Sequence, residues 1–325
     1  MSVPLPAFVQ IEPVGQCNLR CRMCPVAFRE TERPAFMPFD TFCRVLEQFP
    51  GVRKLQLQGL GEPLLHPRFF DMVRHAAGRG IEVTSNTNLT ALSRRRAEEC
   101  AASGLAHLYV SVDAADAAAY AHIREGSRLE RVLRNLALLA EAKARLPSAQ
   151  PRLTLTAVLM RRNLGELPAL LRLAHAHGCE GLQVQRLCHD FGEETLPPRY
   201  RPMRSFIDAE MLGEGDAEAL ERTFAEARAT AAQLGVALRL PRARPRAGRA
   251  PGCDWPWTGA YIAYSGEAMP CCMVATPDRV HFGNMATEGV AAVWHNEAYG
   301  EFRERLASAS PPGICRGCAV YRGVF

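Results

Sequence analysis

The stretch FVQIEPVGQCNLRCRMC, residues 8–24, decides how the rest of the chain is read. It opens as a short β-rich run over residues 8–12 and continues into a loop carrying Cys17, Cys21 and Cys24. The cysteines therefore stand at the C-terminal end of a first strand, where parallel barrels place their chemistry. Three thiolates within eight residues can hold three irons of a [4Fe-4S] cube and leave the fourth open to an outside ligand, whereas a closed structural zinc site needs a fourth protein ligand. A zinc site completed by a distant histidine, or three unrelated thiols, are the alternatives at this point.

Outward from this stretch, further β-rich runs at residues 54–58, 81–85, 107–112, 153–160 and 182–187 alternate with amphipathic helical patterns. These helical patterns, such as PFDTFCRVLEQF, RFFDMVRHAAG and RLERVLRNLALLAEAKARL, return apolar residues at three and four. Alternation of this kind predicts repeated βα units on a parallel sheet. Six units fall short of a closed eight-unit barrel, so the expected fold is α/β, a partial (β/α)6 TIM-type barrel over residues 1–240. A helix over residues 216–234 and a short VALRL run close this part. An Arg/Pro linker, residues 241–251, then leads to a small C-terminal unit at 252–325, with one helix expected around 290–306. A unit this small is commonly stapled by metal.

Within the first unit, Gly59-Leu60-Gly61-Glu62-Pro63 follows the second strand, Ser85-Asn86-Thr87-Asn88 follows the third, and Ser111-Val112-Asp113 ends the fourth, with Arg124 in HIREGS beyond. With CNLRCRMC, this order resembles the radical S-adenosylmethionine (SAM) superfamily. The resemblance implies that Cys17, Cys21 and Cys24 hold a [4Fe-4S] cluster and that SAM binds its open iron. It also implies cofactor contacts from Gly59, Gly61, Glu62, Asn86, Asn88, Ser111, Asp113, Arg124 and Met23. Glu62 would meet the methionine ammonium, and the Arg124 fork suits the carboxylate. Two positions depart from the family pattern: Asn88-Leu89 stands where the turn has glycine, and Met23 where an aromatic often precedes the last cysteine. By the same resemblance, an electron from the cluster cleaves SAM to methionine and a 5'-deoxyadenosyl radical, which takes hydrogen from a substrate carbon.

The second cysteine group is Cys253, then Gly266-x4-Cys271, Phe282-Gly283-Asn284, Val293-Trp294-His295 and Cys315-x2-Cys318. It resembles the SPASM/Twitch iron-sulfur extension of the same superfamily, the architecture of the 2-deoxy-scyllo-inosamine dehydrogenase and aminoglycoside epimerase type of enzyme. The implied ligands of one auxiliary [4Fe-4S] cluster are Cys253, Cys271, Cys315 and Cys318, with Cys271 preferred to Cys272 because the Gly-x4-Cys spacing ends there. A four-cysteine zinc ribbon has the same spacing.

What remains bounds the function. The net charge of +5 is modest for 325 residues, so nucleic-acid binding is not expected. Neither a secretory signal nor an apolar run of about 20 residues is visible, which points to a cytoplasmic location. The expected outcome is dehydrogenation or epimerisation of a polyol, aminosugar or peptide residue, with a reducing partner such as flavodoxin or ferredoxin. Cys188 and Cys272 are candidate hydrogen donors for epimerisation, while Arg186, His189 and Asp190 are candidate substrate contacts or bases. Cys43, Cys100 and Cys179 sit in helical patterns and read as packing. The competing class is a noncatalytic iron-sulfur or zinc carrier, which would have no need of Glu62, Ser111 and Arg124.

Overall fold

The alternation of apolar and amide side chains along the first two strands sets the architecture. In β1 (Phe8–Ile11) and β2 (Lys54–Leu57), Val9, Ile11, Leu55 and Leu57 are fully buried in the core. Gln10 and Gln56, paired in register, face the inside of the sheet. The period of two puts each set on its own side. The computed structural model describes residues 3–28, 35–146, 150–187, 197–244, 252–274 and 277–323.

The sheet continues through β3 (Glu82–Thr87), β4 (His107–Ser111), β5 (Arg152–Leu159), β6 (Gly181–Arg186) and β7 (Ala237–Arg239). All of these pair in parallel with their chain neighbours. On the other side of β1 lies β8 (Gly259–Ile262), also parallel, and then the antiparallel β9 (Ala268–Met269). The order is β7-β6-β5-β4-β3-β2-β1-β8-β9, with β7 and β9 as free edges, so the barrel is open.

The outer layer is α1 (Phe39–Glu47), α2 (Phe69–Ala77), α3 (Arg94–Ala101), α4 (Ala117–Ile123), α5 (Leu129–Ala144), α6 (Leu167–Ala176), α7 (Arg201–Glu210) and α8 (Ala217–Leu234). In α5 the buried face is Leu129, Val132, Leu136 and Leu139, the three-and-four repeat visible in the sequence. The C-terminal part adds α9 (Trp255–Thr258), α10 (Val290–Trp294), α11 (Glu297–Ala307) and α12 (Gly313–Arg316).

The six anticipated strands are present, and the αβ alternation with its open parallel barrel stands. Three differences are informative. Helices α4 and α7 are additional; α4, AAAYAHI, is short and rich in alanine, has little polar contrast to reveal a face, and starts on the Asp116 side chain, which accepts from Ala119 N at 2.7 Å. The helix expected around 290–306 is two helices, broken at His295 and Asn296, because the Asn296 side chain caps α11 by accepting from Tyr299 N at 2.9 Å. Finally, β8 comes from the C-terminal region yet belongs to the main sheet. Cooperative packing explains this: Trp294 is fully buried in the common core, and its indole donates to the carbonyls of Val3 and Pro4 at 3.2 and 3.1 Å.

Candidate functional site

The loop after β1 is held at both ends of its cysteine run. Arg20 N and Arg22 N donate to the carbonyls of Glu125 and Ile123 at 2.9 and 3.1 Å, strapping the loop to the α4–α5 turn. Cys24 N donates to Cys21 O at 3.0 Å, and Asn88 Nδ2 donates to the Cys17 sulfur at 3.6 Å. The three thiols converge on a cavity of about 310 Å³, and no disulfide joins the described cysteines. Burial pushes the Cys17 thiol up to about 11, and Cys21 is raised for the same reason.

Opposite the thiols, the cavity wall carries Gly59, Gly61, Glu62, Asn86, Asn88, Ser111, Arg124 and Met23. Glu62 is buried and accepts from Leu64 N at 3.0 Å, Thr87 Oγ1 at 2.6 Å and Asn88 N at 2.7 Å. Desolvation still raises its pKa against those bonds. A carboxylate buried in this way favours an incoming cation. Arg124 is also buried, its Nε 2.8 Å from Asp113 Oδ2. Burial works against its charge, but Asp113 and then Cys21 more than offset it, so the guanidinium stays protonated far above any working pH.

Asp113 itself is fully buried and is absent from the cavity wall. Its Oδ1 accepts from Val158 N at 2.8 Å and its carbonyl accepts from Asn163 Nδ2 at 2.7 Å. The position read as a cofactor contact is therefore a support for Arg124. The glycines differ in a similar way. A Cβ on Gly59 would lie 2.3 Å from the Glu12 side chain, and one on Gly61 would lie 1.9 Å from Val14 O, so both are needed where the turn packs on the end of β1.

The turn after β3 departs from the family pattern in residue type but not in shape. Leu89, which stands in the glycine position, has φ of 60°. A left-handed leucine costs about 1–2 kcal/mol, but full burial of its side chain contributes about 1.5–3 kcal/mol, so burial wins.

A second cavity, of about 510 Å³, is lined by Cys253, Cys271, Cys272, Cys315 and Cys318. The thiols of Cys253, Cys271 and Cys315 each lie within electrostatic reach of Cys318, and burial raises all three. The two cavities share a wall of Gln58, Gly59, Leu60, Asn86, Gln185 and Met273.

A family model described as the radical SAM superfamily matches residues 11–174, half of the chain. The chain belongs to the radical SAM superfamily. A second family model, an iron-sulfur cluster-binding SPASM domain, matches residues 253–319. Among curated relatives, the tungsten-containing aldehyde ferredoxin oxidoreductase cofactor-modifying protein of Pyrococcus furiosus is 26% identical over 96% of this chain and 87% of its own. The PqqA peptide cyclase of Xanthomonas campestris is 28% identical over 98% of this chain and 80% of its own. SuiB of Streptococcus suis, solved with its precursor peptide SuiA, superimposes with a TM-score of 0.71 at 17% identity, covering 98% of this chain and 71% of SuiB.

As a radical SAM enzyme with a SPASM domain, the chain uses a [4Fe-4S] cluster, SAM and auxiliary iron-sulfur. The donor sets fit these groups: three thiols lining one cavity together with buried Glu62 and Arg124, and a cluster of thiols in the other. Among the described residues no three His, Cys, Asp or Glu side chains close on a single ion. Nor is any described helix long and apolar enough to cross a membrane.

Other predicted residues fall elsewhere. Arg186 reaches the first cavity's wall, but its Nη2 donates to Leu212 O at 2.5 Å and its Nη1 to Arg242 O and Ala243 O at 3.3 and 3.4 Å. These bonds make it a clamp on the chain beyond β7 and leave it unsuited to act as a base. Cys188, His189 and Asp190 lie outside the described residues. Cys100 and Cys179 are in the core, with Cys43 packed against it.

Sequence reasoning missed Glu12. Fully buried just past β1, it accepts from Leu60 N and Gly61 N at 3.0 and 3.3 Å and so fixes the turn that carries Glu62. The signal was a carboxylate directly after the first strand and ahead of the cysteine loop. Since this turn has no room to move, Gly61→Ala is expected to weaken SAM binding at least about tenfold in the reconstituted protein, measured by calorimetry. Gly165→Ala, where a Cβ meets nothing within 4 Å, serves as the control and leaves affinity unchanged. Unaltered affinity in Gly61→Ala would mean that the turn does not position the cofactor.

Proposed function

We propose that this radical SAM enzyme oxidises a peptide substrate held between the two cysteine-lined cavities, removing two hydrogens. The observation that carries this reading is the shared wall, which makes the cavity of Cys17, Cys21 and Cys24 adjoin the cavity of Cys253, Cys271, Cys315 and Cys318. With cluster and SAM bound, the first cavity supplies a hydrogen-abstracting radical. The residues Glu62, Ser111, Arg124, Asn86 and Met23 would orient the cofactor, and Cys253, Cys271, Cys315 and Cys318 of the second cavity would hold an auxiliary cluster able to take up the remaining electron, the second hydrogen leaving as a proton to solvent.

The peptide class is supported by the PqqA peptide cyclase relative and by the SuiA-bound neighbour of the same fold. It is supported as well by the chemistry of the second cavity, whose described lining carries neutral amides rather than carboxylates or imidazoles. Epimerisation is the second reading, favoured by Cys272, a thiol on the second cavity's wall beside Met273. A thiol can return hydrogen to the opposite face of a carbon radical.

The test is co-expression with each short open reading frame adjacent to the gene, followed by mass spectrometry of the peptides after turnover in deuterated solvent. The expected product is lighter by two hydrogens and carries no solvent deuterium. A product of unchanged hydrogen count with one deuterium would assign epimerisation instead. Release of 5'-deoxyadenosine with every peptide unaltered would reject the peptide class.

A further inference from the structure

Closed parallel barrels fill their interior with bulky aliphatic residues, whereas the lumen here is walled by Gln10, Gln56, Gln58, Asn86, Gln183 and Gln185. Some of these amides satisfy one another: Gln56 Nε2 donates to Gln58 Oε1 at 2.6 Å, and Gln10 Nε2 donates to Gln58 O at 3.0 Å. The side chains of Gln183 and Gln185, from β6, have no hydrogen bond among the described residues, so their amide donors and acceptors are open to the cavity. Among the described residues lining the cavity, Arg239 is the single side chain of fixed charge.

Arg239 ends β7, the free edge of the sheet, in register with Gln183. Nearby arginines are engaged: Arg242 Nη1 donates to Gly323 O at 3.1 Å, and Arg244 pairs with Glu221 at 3.0 Å. The Arg239 residue is exposed at the cavity rim, its side chain has no ion pair or hydrogen bond among the described residues, and the neutral amides beside it carry no counter-charge. A planar guanidinium in that position matches one oxyanion, best a carboxylate taken by both arms of the fork.

We infer that Arg239 is a specificity residue: the peptide substrate carries a carboxylate that pairs with Arg239, while its amide groups meet Gln183 and Gln185. This rests on the peptide reading above and narrows it to an acidic peptide. The carboxylate is either an Asp or Glu side chain or the C-terminus of the peptide, which the test separates.

The probe is a synthetic library of random decapeptides, one half with free and one half with amidated C-termini, passed anaerobically over the immobilised, cluster-loaded protein. The wild type is expected to retain a pool enriched about fivefold in Asp and Glu, or in free over amidated termini, the upper range for a partly exposed ion pair. R239Q removes that enrichment while still retaining neutral peptides, which also shows that the variant is folded. R239E reverses it towards Lys and Arg. Equal acidic enrichment in R239Q, or neutral peptides retained by the wild type with no enrichment, overturns the role of Arg239 and leaves the peptide reading standing. No peptide retained at all overturns both.

Discussion

Cys17→Ala is expected to abolish 5'-deoxyadenosine release, a fall of at least about 10³-fold, with iron content reduced by about one [4Fe-4S] cluster per chain. The size of the effect follows from the geometry. Among the described residues Cys17 is one of three thiols on the first cavity, and its sulfur accepts from Asn88 Nδ2 at 3.6 Å, so its loss leaves two of these three ligands. Cys253→Ala, in the second cavity, is expected to spare part of the SAM cleavage while stopping substrate turnover. Cys43→Ala, in α1 and away from both cavities, is expected to change neither. Cleavage by Cys17→Ala at the wild-type rate would remove these three cysteines from the radical-generating role.

Asp113→Ala is expected to destabilise the protein by about 3–5 kcal/mol, because it leaves the Arg124 charge buried without its partner. It also removes the acceptor for Val158 N, which ties the end of β4 to β5. Asp113→Asn separates the two consequences. The amide oxygen still accepts from Val158 N, so the loss in the urea midpoint is smaller, but the charge that holds Arg124 is gone. SAM affinity is then expected to fall about tenfold or more by calorimetry, with iron content unchanged. Arg124 lines the cavity and Asp113 does not, so an Asp113→Asn variant with wild-type affinity would show that Arg124 needs no such support.

The contrast between these residues marks how far the sequence reaches. The cysteine spacings, the Gly59 to Pro63 turn and the Ser111/Arg124 pair were legible because each is a short run next to a strand whose period of two is itself local. Helix α4 escaped because its alanines carry no pattern. Glu12 escaped because its partners, Leu60 and Gly61, lie nearly fifty residues away, and nothing within its own strand says that it will meet them. Asp113 was seen but misplaced: composition says that an acid follows Ser111, whereas only the packing says that it turns away from the cavity and towards Arg124.

The sequence by itself determined the α/β class, the open parallel barrel of βα units, and two cysteine sets, since these depend on local periodicity and on short motifs set in order along the chain. Only the tertiary structure decided that β8 would leave the C-terminal region to pair with β1, and that the two cysteine sets would line adjoining cavities with a common wall. It also left Arg239 as the charge on the second cavity's described lining. These outcomes depend on register between segments up to about 250 residues apart, which is chosen by the simultaneous burial of Val9, Ile11, Ala260 and Ile262, and not by any one segment alone.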